Sequence, residues 1–181
     1  LGDDGGSDHS EYNTAIGYKA MGGGHDTVAS NTASSNTAMG YESLGGATGT
    51  SVAVTSTNCV AIGHQAMTVA STGSNNVGVV SGSLAAITTG SANVAIGKSS
   101  MAAETDGANN VAIGLGSLQA LTSSTQNVAI GSGAMESMDD TADGLSNCVA
   151  IGYQAFAGNA TSTTTGANGT VAIGASALTA L

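Results

Sequence analysis

One recurring position of this sequence holds the aromatic residues Tyr18, Tyr41, His64 and Tyr153. Each of them directly follows a glycine inside a phrase that is repeated along the chain. Rings that share one position of a repeat can line up as a row of flat surfaces of the kind that contacts sugars. These four residues are therefore receptor-contact candidates. The alternative is a partly exposed row that only covers neighbouring methionine and leucine side chains.

A second group of candidates is the acidic segment 139–144, which reads Asp-Asp-Thr-Ala-Asp-Gly. Oxygen donors on alternate residues and a glycine at the turn resemble the opening of a calcium-binding loop. The bidentate glutamate that such a loop needs at its twelfth position is missing, since Ala150 stands there. Calcium bound by Asp139, Asp140 and Asp143 is thus one hypothesis, and a solvated acidic loop is the alternative.

Two cysteines, Cys59 and Cys148, occupy the same position of the repeat, five repeats apart. If each repeat adds one strand spacing of about 4.8 Å, they lie roughly 24 Å apart. This separation far exceeds the limit of about 7 Å between the Cα atoms of a disulfide. We expect two small buried residues that replace asparagine, with no bond between them. Interchain bonding and metal binding stay open.

The charged residues narrow the range of functions. The chain has 2 Lys plus Arg against 12 Asp plus Glu, a formal charge of −10. So few basic side chains cannot neutralise the phosphates of a nucleic acid, so nucleic-acid binding is disfavoured. No run approaches the roughly 18 apolar residues of a membrane span, so membrane insertion is not expected. Glu42 is the only carboxylate within the repeated phrases, whereas glycoside cleavage uses paired carboxylates. We predict neither an enzyme nor a cofactor.

These candidates are positioned by an internal repeat. The nine-residue phrase Asn13–Met21 recurs eight times, starting at positions 36, 59, 76, 93, 110, 127, 148 and 170. Every copy except the fourth, which has Val80, contains an anchor glycine: Gly17, Gly40, Gly63, Gly97, Gly114, Gly131, Gly152 and Gly174. The basic period is about 17 residues, and a fixed period of this kind is the signature of a repeat architecture. Longer connections occur at 22–35, 45–58, 136–147 and 157–169.

Within each phrase, the order Val or Thr, Ala, Ile, Gly alternates with a period of two, which indicates a strand. Val and Ile share one face, while Asn, Ala and Gly leave the other face open to a neighbouring backbone. One strand in each period predicts one coil of a parallel β-solenoid. We therefore predict an all-β chain of nine coils, with an acidic lead-in over 1–12 and a solenoid repeat domain over 13–181.

The predicted core is thin, because each coil contributes only about three large apolar side chains. Burial of such side chains is the main stabilising contribution to a fold, and ordering the chain opposes it. We expect an obligate oligomer in which the Ala/Gly face or the Met/Leu row is buried against other copies.

The phrases Asn-Thr-Ala-Ile-Gly-Tyr-Lys-Ala-Met, from Asn13, and Asn-Val-Ala-Ile-Gly-Ser-Gly-Ala-Met, from Asn127, are similar to known repeats. They resemble the head repeats of trimeric autotransporter adhesins, and still more the related repeats of bacteriophage tail fibres. The resemblance covers residues 13–178 and implies a left-handed parallel β-roll in which three chains pack side by side. The coil is longer than the usual adhesin repeat, which favours the viral fibre.

The function that this resemblance implies is a structural and adhesive segment of a homotrimeric phage tail fibre. Its expected partners are a glycan or protein of the host surface and other fibre proteins. The alternatives are the head of a bacterial trimeric autotransporter adhesin on the cell surface and a segment of a polysaccharide-cleaving tailspike. Contacts are expected in the four longer connections, with Tyr18, Tyr41 and Tyr153 beside them.

Overall fold

The computed structural model describes residues 10–22, 32–45, 54–70, 72–138, 144–158 and 167–179. Nine strands of three residues form one parallel sheet in chain order. The strands are β1 Thr14–Ile16, β2 Thr37–Met39, β3 Val60–Ile62, β4 Val77–Val79, β5 Val94–Ile96, β6 Val111–Ile113, β7 Val128–Ile130, β8 Val149–Ile151 and β9 Val171–Ile173. The predicted all-β parallel β-solenoid is therefore confirmed. The described residues include no helix, and so none long and apolar enough to cross a membrane.

The register of this sheet is the same at every step. The middle residue of each strand lies opposite the middle residue of the next, as with Ala15 and Ala38, or Ala95 and Ala112. The first pair is separated by a coil with a longer connection, and the second pair by a coil of the basic period. A longer connection therefore does not shift the register of the strands. Isolated parallel bridges, such as Ala108 with Thr125, add a second ladder on another side of the coil.

The sheet turns its small side chains inward. The middle alanines of six strands are fully buried, namely Ala38, Ala61, Ala95, Ala112, Ala129 and Ala150. Opposite them lies a buried row of larger side chains, which includes Leu44, Met67, Leu84, Met101, Leu118 and Met135. Our expectation that the Ala/Gly face or the Met/Leu row would be left for other copies is wrong, because both fill the core of their own chain. The coil interior is narrow, so alanine is what fits across from leucine or methionine.

The outer face of the sheet consists of the first and third residues of the strands. We call this surface, formed by the Val or Thr and the Ile, Met or Val of β1 to β9, the outer apolar face. Its third residues include Ile96, 39% exposed, and Ile113, 37% exposed. At the two ends of the ladder, Ile16 and Ile173 are exposed by 54% and 67%. The β-branched side chains thus lie outside a rod whose own core is already filled.

The anchor glycines are required by the stacking of the coils. Gly114 has a φ of +134°, and a Cβ atom on it would lie 2.5 Å from the carbonyl oxygen of Gly131 in the next coil. The other anchor glycines from Gly17 to Gly152 lie equally close to the backbone of the next coil, so an added Cβ atom would clash there too. The fourth coil, which has Val80 in place of an anchor glycine, also has a positive φ at this position, 87°.

A ladder of buried asparagines runs along the inside of the coils. Asn93 donates from Nδ2 to the carbonyl oxygen of Gly107 at 2.8 Å, and its Oδ1 accepts the backbone N–H of Asn110 at 3.0 Å. Each amide therefore satisfies a carbonyl at the turn and an N–H of the following coil. Buried polar backbone groups need such partners, because leaving one unpaired is expensive.

The two cysteines replace the hydrogen-bond donor of the asparagine side chain but not its acceptor oxygen. Both are buried free thiols, as expected, and burial raises the pKa of each thiol. The protonated Cys59 Sγ takes over the donor role, 3.5 Å from the carbonyl oxygen of Gly73. The backbone N–H of Asn76 finds only this sulfur in place of an amide oxygen, and a thiol sulfur is a weak acceptor. The run of amide oxygens is therefore interrupted at Cys59.

Replacing Cys59 by Asn should complete this ladder. The new Oδ1 would accept the N–H of Asn76, and we expect the free energy of unfolding to rise by about 1 kcal/mol, the usual value of a net hydrogen bond. Urea unfolding under reducing conditions measures this change. Cys59→Ala is the matched control, since it removes the thiol without adding an acceptor. A Cys59→Asn protein no more stable than Cys59→Ala would contradict the proposed cause.

Candidate functional site

Three of the four aromatic candidates form one continuous stack. The ring centres of Tyr18 and Tyr41 lie 5.4 Å apart with planes 17° from parallel. Those of Tyr41 and His64 lie 5.2 Å apart at 9°. The parallel register causes this arrangement, since it places the same position of successive coils one strand spacing apart. We call Tyr18, Tyr41 and His64 the aromatic stack.

Tyr153 is not part of the aromatic stack. It stands at the same position of the coil, but Ser81, Lys98, Leu115 and Ser132 occupy the four coils between it and His64. Its side chain is 58% exposed. The four candidates therefore divide into a group of three rings and a separate tyrosine about five strand spacings away.

The ring faces that meet inside the aromatic stack are covered, while the ring edges stay exposed. Tyr18 and Tyr41 are 64% and 44% exposed, yet each turns ring faces toward its neighbours in the stack. The inner faces are therefore occupied by other rings and do not receive a sugar. The outer face of His64 points toward the coil of Ser81, which has no aromatic ring at this position.

A polar cluster lies beside the stack and centres on Glu42. This carboxylate is only 7% exposed, and its Oε2 accepts a hydrogen bond from Gln65 Nε2 at 3.0 Å. Lys19 Nζ lies 4.0 Å from Oε1 and 5.5 Å from the centre of the Tyr18 ring. The cluster repeats the pattern of the stack, because Lys19, Glu42 and Gln65 also share one position of successive coils.

The pKa values of Glu42, in the polar cluster, and of Tyr41, in the aromatic stack beside it, are both shifted. The hydrogen bond from Gln65 is the main cause that lowers the pKa of Glu42, with smaller contributions from Tyr41, Lys19 and His64, against burial, which raises it. The hydrogen bond to Glu42, followed by the charge of that carboxylate, raises the pKa of the Tyr41 phenol. Glu42 is thus held as a carboxylate, and the neighbouring Tyr41 is held as a neutral phenol.

The calcium hypothesis is not tested by the structure. Asp139, Asp140 and Asp143 lie outside the described residues, as does part of each longer connection, at 23–31, 46–53, 139–143 and 159–166. In the part of the chain that the structure describes, no group of three or more His, Cys, Asp or Glu side chains could hold a metal ion.

A buried carboxylate that we did not predict is Glu104. It is fully buried, and it accepts hydrogen bonds from the backbone N–H of Gly107 at 3.0 Å and from Ser124 Oγ at 2.6 Å. Ile87 and Leu121, one period before and after it, are buried apolar residues. A charged residue in a column of apolar ones was the available sequence signal. Glu104 connects two successive turns, and it is too enclosed to meet a surface ligand.

Comparison of the chain with protein-family models, with curated proteins and with solved structures finds no match.

Replacing Glu42 by Gln should lower the pKa of the Tyr41 phenol toward its ordinary value, because it removes the carboxylate whose hydrogen bond, and then whose charge, disfavours the phenolate. Ultraviolet absorbance of the phenolate during an alkaline titration measures this, and subtraction of the Tyr41→Phe titration isolates Tyr41. Glu136→Gln, which removes a carboxylate outside the cluster, is the control. An unchanged Tyr41 titration in Glu42→Gln would show that another group raises this pKa.

Proposed function

We propose that the chain is a structural and adhesive segment of a homotrimeric fibre of the phage tail-fibre type, which projects from a virion and contacts a host cell surface. The support comes from three features: a regular rod, an apolar face that the rod leaves uncovered, and the resemblance of the repeated phrase. In this proposal the coils wind in a left-handed sense and three identical rods lie side by side.

The exposure of the outer apolar face is the main observation that supports the proposed trimer. It extends along nine strands, which at about 4.8 Å per step makes it about 38 Å long. A continuous apolar strip of this length is unusual on a protein that stays monomeric and normally marks an interface. The core beneath it is already filled with Ala, Leu and Met, so the strip has no further role within its own chain.

Copies of the same chain are the occupants that fit this face. The strip follows the stacking direction of the coils, because the register is the same at every step, so a rotation axis along that direction brings the same strip of every copy to the centre. Closed rotational symmetry buries identical patches in this way and leaves no free interface. The aromatic stack remains on the outside and is present three times.

Adhesion in this proposal comes from repetition. Each contact site occurs once per chain, so three copies act together, and weak individual contacts add up to firm attachment. The four longer connections can vary without disturbing the register of the strands, as the identical pairing across coils of different length indicates. They are therefore where host contacts are expected, together with the exposed tyrosines beside them.

Replacing Ile113 by Glu should prevent trimer formation, because it places a charge in the middle of the outer apolar face. Light scattering of the unaltered chain should give three times the chain mass of 17.2 kDa, and Ile113→Glu should give a smaller species. Leu115→Glu is the matched control, since Leu115 is 57% exposed against 37% for Ile113 but lies at the position of the aromatic stack. A folded monomer of the unaltered chain would overturn the proposal.

Shortening the four longer connections tests the adhesive role. Each would be replaced by the eight-residue connection at 102–109, which is sufficient between β5 and β6. We expect the trimer to remain and attachment of the labelled rod to a panel of bacterial cells to be lost. Attachment equal to that of the unaltered rod would show that the connections do not carry the contact.

A further inference from the structure

The outer face of His64 opens onto a gap in the aromatic column. The backbone N–H of Gly82 donates to the carbonyl oxygen of His64 at 3.0 Å, and that of Ser99 donates to the carbonyl oxygen of Ser81 at 3.0 Å. These bonds place His64, Ser81 and Lys98 at the same position of three successive coils. The stack that begins at Tyr18 therefore stops at His64, and a serine stands where the next ring would be. We call the space above Ser81 the His64–Lys98 slot.

The slot has the width of one six-membered ring. Two strand spacings separate the column positions of His64 and Lys98, which is about 9.6 Å. A ring in van der Waals contact on both of its faces needs about 3.5 to 4 Å on each side, or about 7 to 8 Å in all. A ligand ring can thus lie against the imidazole and continue the aromatic stack, with the Lys98 side chain on its other side.

The side chains around the slot define the chemistry of the ligand. Lys98 is one of only two basic residues of Lys or Arg type in the chain, and no carboxylate lies within 4.0 Å of its ammonium group in the described residues. Within the described residues, the Ser81 hydroxyl makes no hydrogen bond, so it is available to a ligand. Val80, 44% exposed, supplies apolar surface at the rim. The coil segments 60–70, 77–84 and 94–101 contain no Asp or Glu.

We propose that the His64–Lys98 slot binds a carboxylate-bearing hexose of a surface polysaccharide. The apolar face of the sugar ring lies on the imidazole of His64, the carboxylate pairs with the Lys98 ammonium group, and a ring hydroxyl bonds to Ser81. The net charge of −10 repels a densely charged polymer. The ligand is therefore a polysaccharide in which acidic sugars are separated by neutral ones. This assignment rests on the proposed adhesive function and names the class of surface it recognises.

Titration with two disaccharides tests the slot. Cellobiouronic acid carries a carboxylate where cellobiose carries a hydroxymethyl group, and the two are otherwise the same. Binding to the trimer is followed by the NMR resonances of the His64 ring. We expect millimolar binding of the acid and about fivefold weaker binding of cellobiose at low ionic strength, as for an exposed ion pair. The difference should shrink as salt is added. Lys98→Gln should make the two affinities equal.

Ser81→Tyr should abolish binding of cellobiouronic acid, because the new ring fills the slot and extends the stack. Ser132→Tyr, the same substitution at the same position of a distant coil, is the control and should bind as the unaltered chain does. Equal binding of the two sugars by the unaltered chain, or undiminished binding by Ser81→Tyr, would overturn the proposal.

The same measurements separate the slot from the adhesive function. If the rod attaches to cells but the His64 resonances respond to neither disaccharide, the proposed function is supported and the proposed slot is contradicted. If the rod attaches to no cell but binds cellobiouronic acid more strongly than cellobiose, the proposed slot is supported and the adhesive function is contradicted. Each outcome therefore decides one of the two statements.

Discussion

The close approach of each coil to the backbone of the next is the constraint on which the rest of the structure depends. A Cβ atom at Gly152 would lie 2.5 Å from the carbonyl oxygen of Gly174, so only a residue without a side chain fits there. This approach lets every coil bond to the next along its circumference and fixes the register of the strands. The aromatic stack, the Asn ladder and the outer apolar face all follow, because each is one position of the coil repeated at that fixed spacing.

The turn after the anchor glycine imposes a second constraint, which decides the composition of the core. The buried Leu44 and Leu118 have φ values of 52° and 50°, in the left-handed region. β-Branched residues are strongly disfavoured there. The nine coils use Leu, Met or Phe at this position and never Val or Ile. The conformation costs about 1 to 2 kcal/mol for a residue with a side chain, and burial of a large apolar group offsets a similar amount.

The sequence predicts the period, the strands, their parallel order and the buried cysteines, since all of these depend on spacing alone. The direction of the two sheet faces was not predictable in the same way, because Val, Ala and Ile are all apolar and alternation does not say which of them faces inward. The narrow coil decides this by size, in favour of alanine. Glu104 was missed because its partners, Gly107 and Ser124, become neighbours only through the turns. Tyr153 shares a position with the aromatic stack but stands apart from it, because the four coils between it and His64 carry no ring at that position.

The interrupted Asn ladder divides the rod into blocks that differ in cooperativity. Asn76, Asn93, Asn110 and Asn127 form an unbroken run in which each side-chain oxygen accepts the next backbone N–H, ending on that of Cys148. Thiols interrupt the run of amide oxygens before Asn76 and before Thr170. In a protein where each coil contacts only its neighbours, a weak interface is where partial unfolding stops. The central coils are thus a single unit that can outlast the loss of either end, so the rod can fray without coming apart.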